Sequence, residues 1–189
     1  MDERILLDKI VQKDEKAFQS FVEKYHHLVL NICNNILNNY DDAMDVSQEV
    51  FMKFYESIES FRGDSKITTW LYRISVNKSL NFLRSQKKNK WFSSLDILFS
   101  NESKAKEPED RNLKPDENIE QNENKKVLYY ALNKLPEKQR IAISLNNFEN
   151  LAYKEISEIM DISVSEVGVL INRGKKKLHK IIIEYYKKN

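Results

Sequence analysis

A line of residues suited to nucleic-acid contact runs along one predicted helix, from about Ile67 to Gln86. At 100° per residue it occupies a stripe about 60° wide. Its members are Trp70, Arg73, Asn77, Arg84 and Lys88. An indole stacks on a base at roughly 1–3 kcal/mol, an amide reads a base edge, and cations hold phosphates. We therefore interpret this nucleic-acid stripe as a surface for single-stranded nucleic acid; the alternative, Trp70 half-buried against the preceding helix, is compatible with that role.

The loop ahead of this helix, FRGDSK, contains one of only three glycines in the chain. Its residues are Phe61, Arg62, Gly63, Asp64, Ser65 and Lys66. Glycine adopts positive φ without steric cost, so Gly63 permits a tight backbone path. Arg62 and Lys66 offer positive charge to a strand. The loop lies directly ahead of the nucleic-acid stripe, so the loop and the stripe can contact the same strand.

The helix before the loop, within AMDVSQEVFMKFYESI, has an apolar and an acidic side. The apolar side comprises Val46, Val50, Phe51, Phe54 and Ile58, and the opposite, acidic stripe comprises Asp45, Gln48, Glu49, Met52 and Glu56. Such a stripe is either solvated surface or a docking face for a basic partner helix. Asp41 or Asp42 is the expected N-cap. No histidine accompanies Asp42, Asp45 and Glu49, so we predict no metal site.

The C-terminal segment has the pattern of two helices joined by a tight turn. Apolar contacts between them are predicted for Ile156, Ile159, Ile162, Val164, Val167 and Ile171. Ser163 begins SVSE, a capping box with Glu166. The second helix projects a reading face that comprises Ser165, Val169, Asn172, Arg173, Lys176 and Lys180. This face suits the major groove of duplex DNA, although an ordinary three-helix bundle gives a similar pattern.

Composition and charge bound the fold class and the partners. The 189 residues include three glycines and three prolines, which disfavours a turn-rich β architecture. Basic and acidic residues number eight and one in 62–90, four and nine in 93–124, and seven and two in 163–189. This distribution predicts two polyanion-binding units and an intervening segment that does not bind DNA. The single cysteine, Cys33, excludes an intrachain disulfide and is expected in the core.

The predicted fold class is all-α, with two small helical domains joined by a flexible acidic linker. The domains take residues 1–92 and 125–189, and the linker takes 93–124, which has two prolines and no sustained apolar period. In the first domain, Asp14 is the expected N-cap of a long helix. No apolar run is long enough to span a bilayer and no signal-peptide layout is present, so we expect a cytoplasmic location without membrane insertion.

The chain resembles extracytoplasmic-function sigma factors, the small members of the bacterial housekeeping sigma family. Their region two is similar to DDAMDVSQEVFMKFYESIESFRGDSKITTWLYRISVNKSLNFLRSQKK. Their region four is similar to ALNKLPEKQRIAISLNNFENLAYKEISEIMDISVSEVGVLINRGKKKLHK. The resemblance covers nearly everything except the linker. Its most specific strings are DVSQEVF, FRGDS and TWLYRISVN.

The resemblance implies a promoter-specificity subunit of RNA polymerase without an active site or cofactor. The acidic stripe residues Asp45, Gln48, Glu49 and Met52 would dock on the clamp helices of the largest polymerase subunit. The loop 61–66 would capture a flipped-out base of the −10 element, which costs a few kcal/mol of unstacking. Further contacts with the −10 DNA would come from Trp70, Arg73, Asn77 and Arg84.

The resemblance also implies a role and partners for the second domain. Contacts with the −35 region would come from Ser165, Val169, Asn172, Arg173 and Lys176, and the domain would bind the flap of the second polymerase subunit. Promoter DNA would thus be bound both as duplex and as single strand. The linker would run toward the polymerase active cleft and RNA exit path. An anti-sigma factor is a further partner that the resemblance allows. A recruiting protein is a partner that weak −35 reading, argued next, would call for.

Departures from the family pattern predict weak or atypical −35 reading. Ala152 stands where Ser or Thr usually caps the first helix of the pair, a loss of roughly 1 kcal/mol. Gly168 removes a reading side chain and weakens the second helix by up to ~1 kcal/mol. Glu166 would repel phosphates. Phosphate contacts are then expected mostly from Arg173, Lys175 and Lys176.

Two other functions fit parts of the sequence. A stand-alone helix-turn-helix transcription regulator would bind duplex DNA tightly without polymerase, whereas a sigma factor alone should bind duplex poorly. A recombinase or nuclease would need carboxylates clustered around a cleft, and here the acidic residues are scattered along helix faces.

Overall fold

The computed structural model describes residues 3–61, 63, 65–99 and 119–188, with backbone only for 90–99, 119–122 and 125. Every regular element in these ranges is helical, which confirms the predicted all-α fold. The α-helices are α1 (Glu3–Val11), α2 (Glu15–Leu37), α3 (Tyr40–Ser57), α4 (Ile67–Phe99), α5 (Ile119–Asn133), α6 (Glu137–Ile143), α7 (Tyr153–Met160) and α8 (Val164–Lys188). A short 3-10 helix (Ile58–Ser60) follows α3, and a π-helical turn (Ser144–Phe148) follows α6.

The first domain packs α1 to α4 around an aromatic and aliphatic core. The rings of Phe21 and Phe54 stack with centroids 4.2 Å apart, and both side chains are fully buried. The predicted apolar side of α3 is buried in full: Val46, Val50, Phe51, Phe54 and Ile58. Cys33 is also buried, as predicted. Burial of the apolar side of α3 fixes the rotation of the helix about its axis. The opposite side, which carries the acidic stripe, therefore faces away from this core.

The helix starts agree with one predicted cap and correct another. Asp14 accepts a hydrogen bond from the Ala17 N–H at 3.1 Å, which confirms it as the N-cap of α2. The N-cap of α3 is Asn39, whose side-chain oxygen accepts from the N–H groups of Asp41 and Asp42 at 3.0 and 3.2 Å. The prediction of an aspartate cap was therefore wrong. Both aspartates lie in the first turn, where their negative charge interacts favourably with the helix dipole.

The helix after the loop is longer than predicted. It continues to Phe99 instead of ending near Gln86, because no proline or glycine interrupts that stretch. From the other side, α5 begins at Ile119. The middle of the predicted linker, 100–118, lies outside the described residues, and the domain boundaries remain predictions.

The second domain packs α5 to α8, and its helix pair is largely as predicted. The buried contacts are Ile156, Ile159, Val167 and Ile171, with Ile162 partly buried against them. Val164 was predicted to belong to this set and is instead exposed, because it lies in the first turn of α8 before the helix meets α7. The Ser163 hydroxyl accepts from the Glu166 N–H at 3.1 Å, as expected of a capping residue.

The two domains are packed against each other through a shared apolar cluster. The first domain contributes Ile32, Ile36, Tyr72 and Val76, and the second contributes Ile141, Ala142, Leu145, Ile156, Ile159, Val167 and Ile171. The two domains were predicted as separate units, and this contact between them was not predicted. It arises because α4 is apolar on two sides, one facing α2 and α3 and the other facing the second domain.

Candidate nucleic-acid interface

Trp70 begins the nucleic-acid stripe and is only partly buried. Its ring stacks on Phe61 of the loop, with centroids 4.9 Å apart and planes 23° from parallel. The same ring lies 5.3 Å from Phe54 in the core. Part of the indole therefore packs on the preceding helix, as the alternative predicted, while another part remains accessible. Contact between Trp70 and nucleic acid stays a prediction.

The loop that carries Phe61 turns at Gly63 through a left-handed conformation. Gly63 has φ +76°, and nothing lies within 4 Å of the position where a Cβ would stand. This confirms the tight backbone path predicted there, because an L-residue in this region costs roughly 1–2 kcal/mol. Ser65 and Lys66 are exposed. Arg62 and Asp64 lie outside the described residues.

The rest of the stripe runs along α4 beside the second domain. Arg73, Asn77 and Arg84 are exposed, as the helical spacing predicts. The Arg73 guanidinium donates to the backbone carbonyl of Glu158 in α7. Arg73 and Asn77 also line an open cleft between the domains. The stripe is thus solvent-accessible, but one of its cations is already paired with the second domain.

The acidic stripe faces away from the core of the first domain. All of its members are exposed: Asp45, Gln48, Glu49, Met52 and Glu56. Met52 is 64% exposed, which is unusual for a thioether. Glu49 pairs with Lys78 of α4 at 2.9 Å. An exposed methionine among carboxylates fits a docking face better than a purely solvated surface.

The reading face of α8 points into solvent as predicted. Its members Ser165, Val169, Asn172, Arg173, Lys176 and Lys180 are all exposed. Val169 is apolar and 43% exposed, so it is available for contact with a thymine methyl group.

Two reasons for predicting weak reading by α8 change with the structure. Gly168 does not point outward with the reading face; a Cβ at this position would lie 3.6 Å from the Tyr153 ring, in the contact between α7 and α8. Glu166 pairs with Lys138 at 3.7 Å, which offsets part of the repulsion expected between its carboxylate and phosphates. Weak or atypical −35 reading remains a prediction, but the arguments from Gly168 and Glu166 now favour it less strongly.

Ala152 is the N-cap residue of α7, so this helix lacks the side-chain hydroxyl that Ser or Thr would supply there. Its N–H donates to Glu155 at 3.0 Å, so one half of a capping box is formed, but its methyl group accepts nothing. The same carboxylate pairs with Lys66 of the loop at 3.2 Å. The Ala152 N–H, and secondarily Lys66, hold the pKa of Glu155 below its ordinary value.

Ala152→Ser is expected to stabilise the second domain by roughly 1 kcal/mol, because a serine hydroxyl completes the capping box. Urea denaturation followed by circular dichroism measures the change in the free energy of unfolding. Ala152→Val serves as the control, because valine ranks with alanine at the N-cap and supplies no acceptor. Equal stability of the serine variant and the unchanged chain would show that the cap position is misassigned.

Sequence reasoning missed the residues that join the two domains. The Tyr72 hydroxyl donates to the Glu149 carboxylate at 2.8 Å. Burial raises the pKa of both groups. Lys87 of α4 pairs with Glu137 of α6, which lowers the pKa of that carboxyl. The sequence signal that could have revealed this contact was the second apolar side of α4, where Tyr72 and Val76 stand four residues apart.

Neither a metal centre nor a membrane-spanning helix is found in the described ranges. No group of three or more His, Cys, Asp or Glu residues there is arranged to hold a metal ion. None of the helices there has the length and apolar character needed to cross a bilayer.

Family models match both domains of the chain. The model described as Sigma-70 region 2 matches residues 21–89, and the model described as Sigma-70, region 4 matches residues 125–178. These two ranges contain the loop, the nucleic-acid stripe, the acidic stripe and most of the reading face.

Whole-chain relatives agree with the family models. The ECF RNA polymerase sigma-E factor of Escherichia coli strain K12 is 32% identical over 176 residues, covering 93% of this chain and 92% of the relative. The protein of the same name from Haemophilus influenzae is 33% identical over 184 residues, covering 93% of each.

Two solved structures share the fold. CnrH in complex with the cytosolic domain of CnrY has a TM-score of 0.68 at 20% identity, covering 96% of this chain and 97% of that one. The sigma factor RpoE in complex with the anti-sigma factor NepR from Bartonella quintana has a TM-score of 0.64 at 21% identity, covering 88% and 97%. With family models over both domains and relatives above 30% identity over nearly the whole length, the chain belongs to the extracytoplasmic-function sigma factors, which direct RNA polymerase to promoters and are not enzymes.

Proposed function

We propose that this sigma factor opens promoter DNA with the loop 61–66 and the nucleic-acid stripe of α4. The observation that carries the proposal is the stack of Phe61 on a partly exposed Trp70, with exposed Arg73 and Asn77 on the turns that follow. A flipped base needs an aromatic surface, a hydrogen-bonding edge and cations for its phosphates. The loop and stripe supply all three within two turns of one helix.

The left-handed turn at Gly63 supports the role of the loop. It lets the backbone approach a displaced base without a side chain in the way. Phe61 and Lys66 stand at the two ends of this turn, so an aromatic ring and an ammonium group flank the base. We expect Arg62, Asp64 and Ser65 to contribute contacts to the same displaced base, and Arg84 to bind the strand further along α4.

We assign the other partners to the acidic stripe of α3 and to the second domain. The acidic stripe docks on the clamp helices of the largest subunit of core RNA polymerase, with Met52 as its apolar contact. The reading face of α8 contacts the −35 duplex, and the second domain binds the flap of the second subunit. The factor acts in the cytoplasm and carries no catalytic residues of its own. Because NepR is named an anti-sigma factor, we propose that a protein of that class also silences this chain.

Replacing Asp45 and Gln48 together with lysine reverses one charge of the acidic stripe and adds another positive charge. This change is expected to weaken binding to core polymerase by roughly 100-fold, because like charges facing across an interface cost several kcal/mol. Neither residue belongs to a core contact, since both are exposed on α3. Fluorescence anisotropy of the labelled chain with purified bacterial core polymerase measures the affinity.

The matched control for this experiment is Glu23→Lys with Asn31→Lys. Both residues are exposed on α2, and the pair changes the net charge by the same amount. The control is expected to bind polymerase as the unchanged chain does. Equal affinity of the α3 and α2 variants would contradict the assignment of the acidic stripe.

A further inference from the structure

We propose that the second domain carries a further site for single-stranded nucleic acid, at the end of α8 remote from its N-terminal turns. The site is a tyrosine cluster formed by Tyr130 of α5 with Tyr185 and Tyr186 of α8. The region 4 match ends at residue 178, so the two tyrosines of α8 lie beyond it. The surfaces assigned above to the −10 and −35 DNA include none of these rings. This site is therefore independent of the role proposed for the loop and the nucleic-acid stripe.

The three rings form a continuous aromatic surface across α5 and α8. The centroids of Tyr130 and Tyr185 lie 5.4 Å apart, and those of Tyr185 and Tyr186 lie 5.8 Å apart with nearly perpendicular planes. Tyr130 is 46% exposed and Tyr186 is 56% exposed, whereas Tyr185 is partly buried between them. Each outer ring is thus accessible to a ligand, and the inner ring connects the two.

The packing of α5 on α8 holds the tyrosine cluster in place. Leu178 and Ile181 of α8 belong to the same apolar cluster as the buried Leu132 of α5. The Tyr186 hydroxyl donates to the side-chain oxygen of Asn124 in α5 at 2.9 Å. Ordering a side chain on binding costs free energy, so a ring that is already held in position binds at a smaller cost. The exposed rings are therefore prepared for contact with a partner.

Exposed lysines border the cluster on both helices. Lys126, Tyr130 and Lys134 are spaced four residues apart, so one lysine lies about a turn before the ring and one about a turn after it. The Lys134 ammonium lies 5.4 Å from the centroid of the Tyr130 ring. Lys187 and Lys188 complete the last turn of α8, directly after the cluster. The aromatic surface is thus flanked by positive charge at both of its ends.

A single-stranded polyanion fits this combination better than a protein or a duplex. Exposed rings stack on unpaired bases of any sequence, and lysines hold the phosphates of the same strand. Lysine is depleted in protein interfaces, whereas here it surrounds the rings. A duplex keeps its base faces inside the stack, so it can meet the lysines but not the rings. Of the carboxylates on the described turns beside the cluster, Glu123 and Glu184, the second pairs with Lys180 at 3.8 Å.

The tyrosine cluster is far enough from the base-contacting turns of α8 for the helix to hold a strand and a duplex at once. Tyr186 lies about four turns beyond Asn172, which is about 21 Å along the helix axis. Unpaired bases and phosphates are common to DNA and RNA. The chemistry of the site therefore selects a single strand, and the choice of sugar is an outcome of the experiment.

Binding of fluorescent oligothymidylate and oligouridylate to the full chain, followed by anisotropy, tests the site. The chain carries Trp70→Ala with Asn77→Ala, so that the nucleic-acid stripe contributes little. Adding Tyr130→Leu with Tyr186→Leu should weaken binding roughly 10- to 100-fold, because leucine has no ring to stack on a base. The matched control is Tyr130→Phe with Tyr186→Phe, which loses the same hydroxyls but keeps both rings, and it should bind within about twofold of the parent.

The lysines are tested through the salt dependence of the same binding. Lys126→Gln with Lys134→Gln should lower the slope of log affinity against log salt concentration by about 1.4, since each phosphate contact to a single strand contributes about 0.7. Lys9→Gln with Lys16→Gln is the control, because it removes the same charge from exposed positions in the first domain. An equal slope for the two glutamine pairs would contradict the placement of the strand along α5.

The outcomes distinguish a strand site from a protein surface. Equal strand affinity of the leucine and phenylalanine pairs, with unchanged circular dichroism, would overturn the site. A loss of affinity for core polymerase in the leucine pair, with strand binding intact, would show that the cluster docks a protein instead. Weakened binding of either oligonucleotide supports the site, and the larger loss identifies whether DNA or RNA is preferred.

Discussion

Replacing Trp70 and Asn77 together with alanine is expected to slow promoter opening by roughly 10- to 100-fold. Base stacking on an aromatic side chain is worth roughly 1–3 kcal/mol, and each 1.4 kcal/mol is a factor of about ten. The alanine pair removes the indole that stacks on Phe61 and the exposed amide on the following turns. Permanganate reactivity of unpaired thymines measures the opened DNA directly.

This prediction needs controls because Trp70 also packs on Phe54. Trp70→Phe keeps an aromatic ring in that contact and is expected to retain most of the opening rate. Asn31→Ala, an exposed asparagine on α2, controls for loss of a surface amide. The affinity for core polymerase should be the same in all variants. Normal opening by the alanine pair with intact polymerase binding would show that the stripe is only structural.

Gly174→Val is expected to destabilise the second domain by roughly 3 kcal/mol, because overpacking a tight core contact costs typically 1–3 kcal/mol or more. Gly174 is buried where α8 crosses α6. Even a single Cβ there would lie 2.5 Å from Cδ1 of Ile143 and 3.3 Å from Cβ of Gln139. Ile143 is itself buried, which limits how far its side chain can shift.

Gly168→Ala is the matched control on the same helix. A Cβ at Gly168 would meet the Tyr153 ring at an ordinary 3.6 Å, so alanine fits there. Alanine also favours the helix by up to ~1 kcal/mol, so this variant should be more stable than the unchanged chain. Urea denaturation of both variants tests the pair. A tolerated valine at position 174 would mean that α6 and α8 do not approach as closely as described.

Local patterns predicted the elements of the first domain because each depends on neighbours along the chain. The buried and exposed sides of α3 follow from one helical period, and the turn at Gly63 follows from a residue that tolerates positive φ. The N-cap of α3 was misassigned because Asn39, Asp41 and Asp42 all have suitable side chains within four positions. Only the entry path of the chain selects Asn39.

Contacts between distant residues were not predictable from the same patterns. Tyr72 and Glu149 are 77 positions apart, and neither belongs to a local motif. Gly168 was interpreted as a defect of the reading face, whereas its role depends on Tyr153 of the preceding helix. The second apolar side of α4, with Tyr72 and Val76, could have indicated a further packing partner, but not which helices would supply it.

The central claim is that this chain directs RNA polymerase to open promoters through the loop and stripe of the first domain. Run-off transcription with purified core polymerase and this protein, over a library of genomic promoter fragments, tests it most directly. We predict discrete transcripts whose templates share a −10 sequence and whose yield collapses with Trp70→Ala and Asn77→Ala combined. Absence of any transcript beyond those made by core polymerase alone would contradict the account.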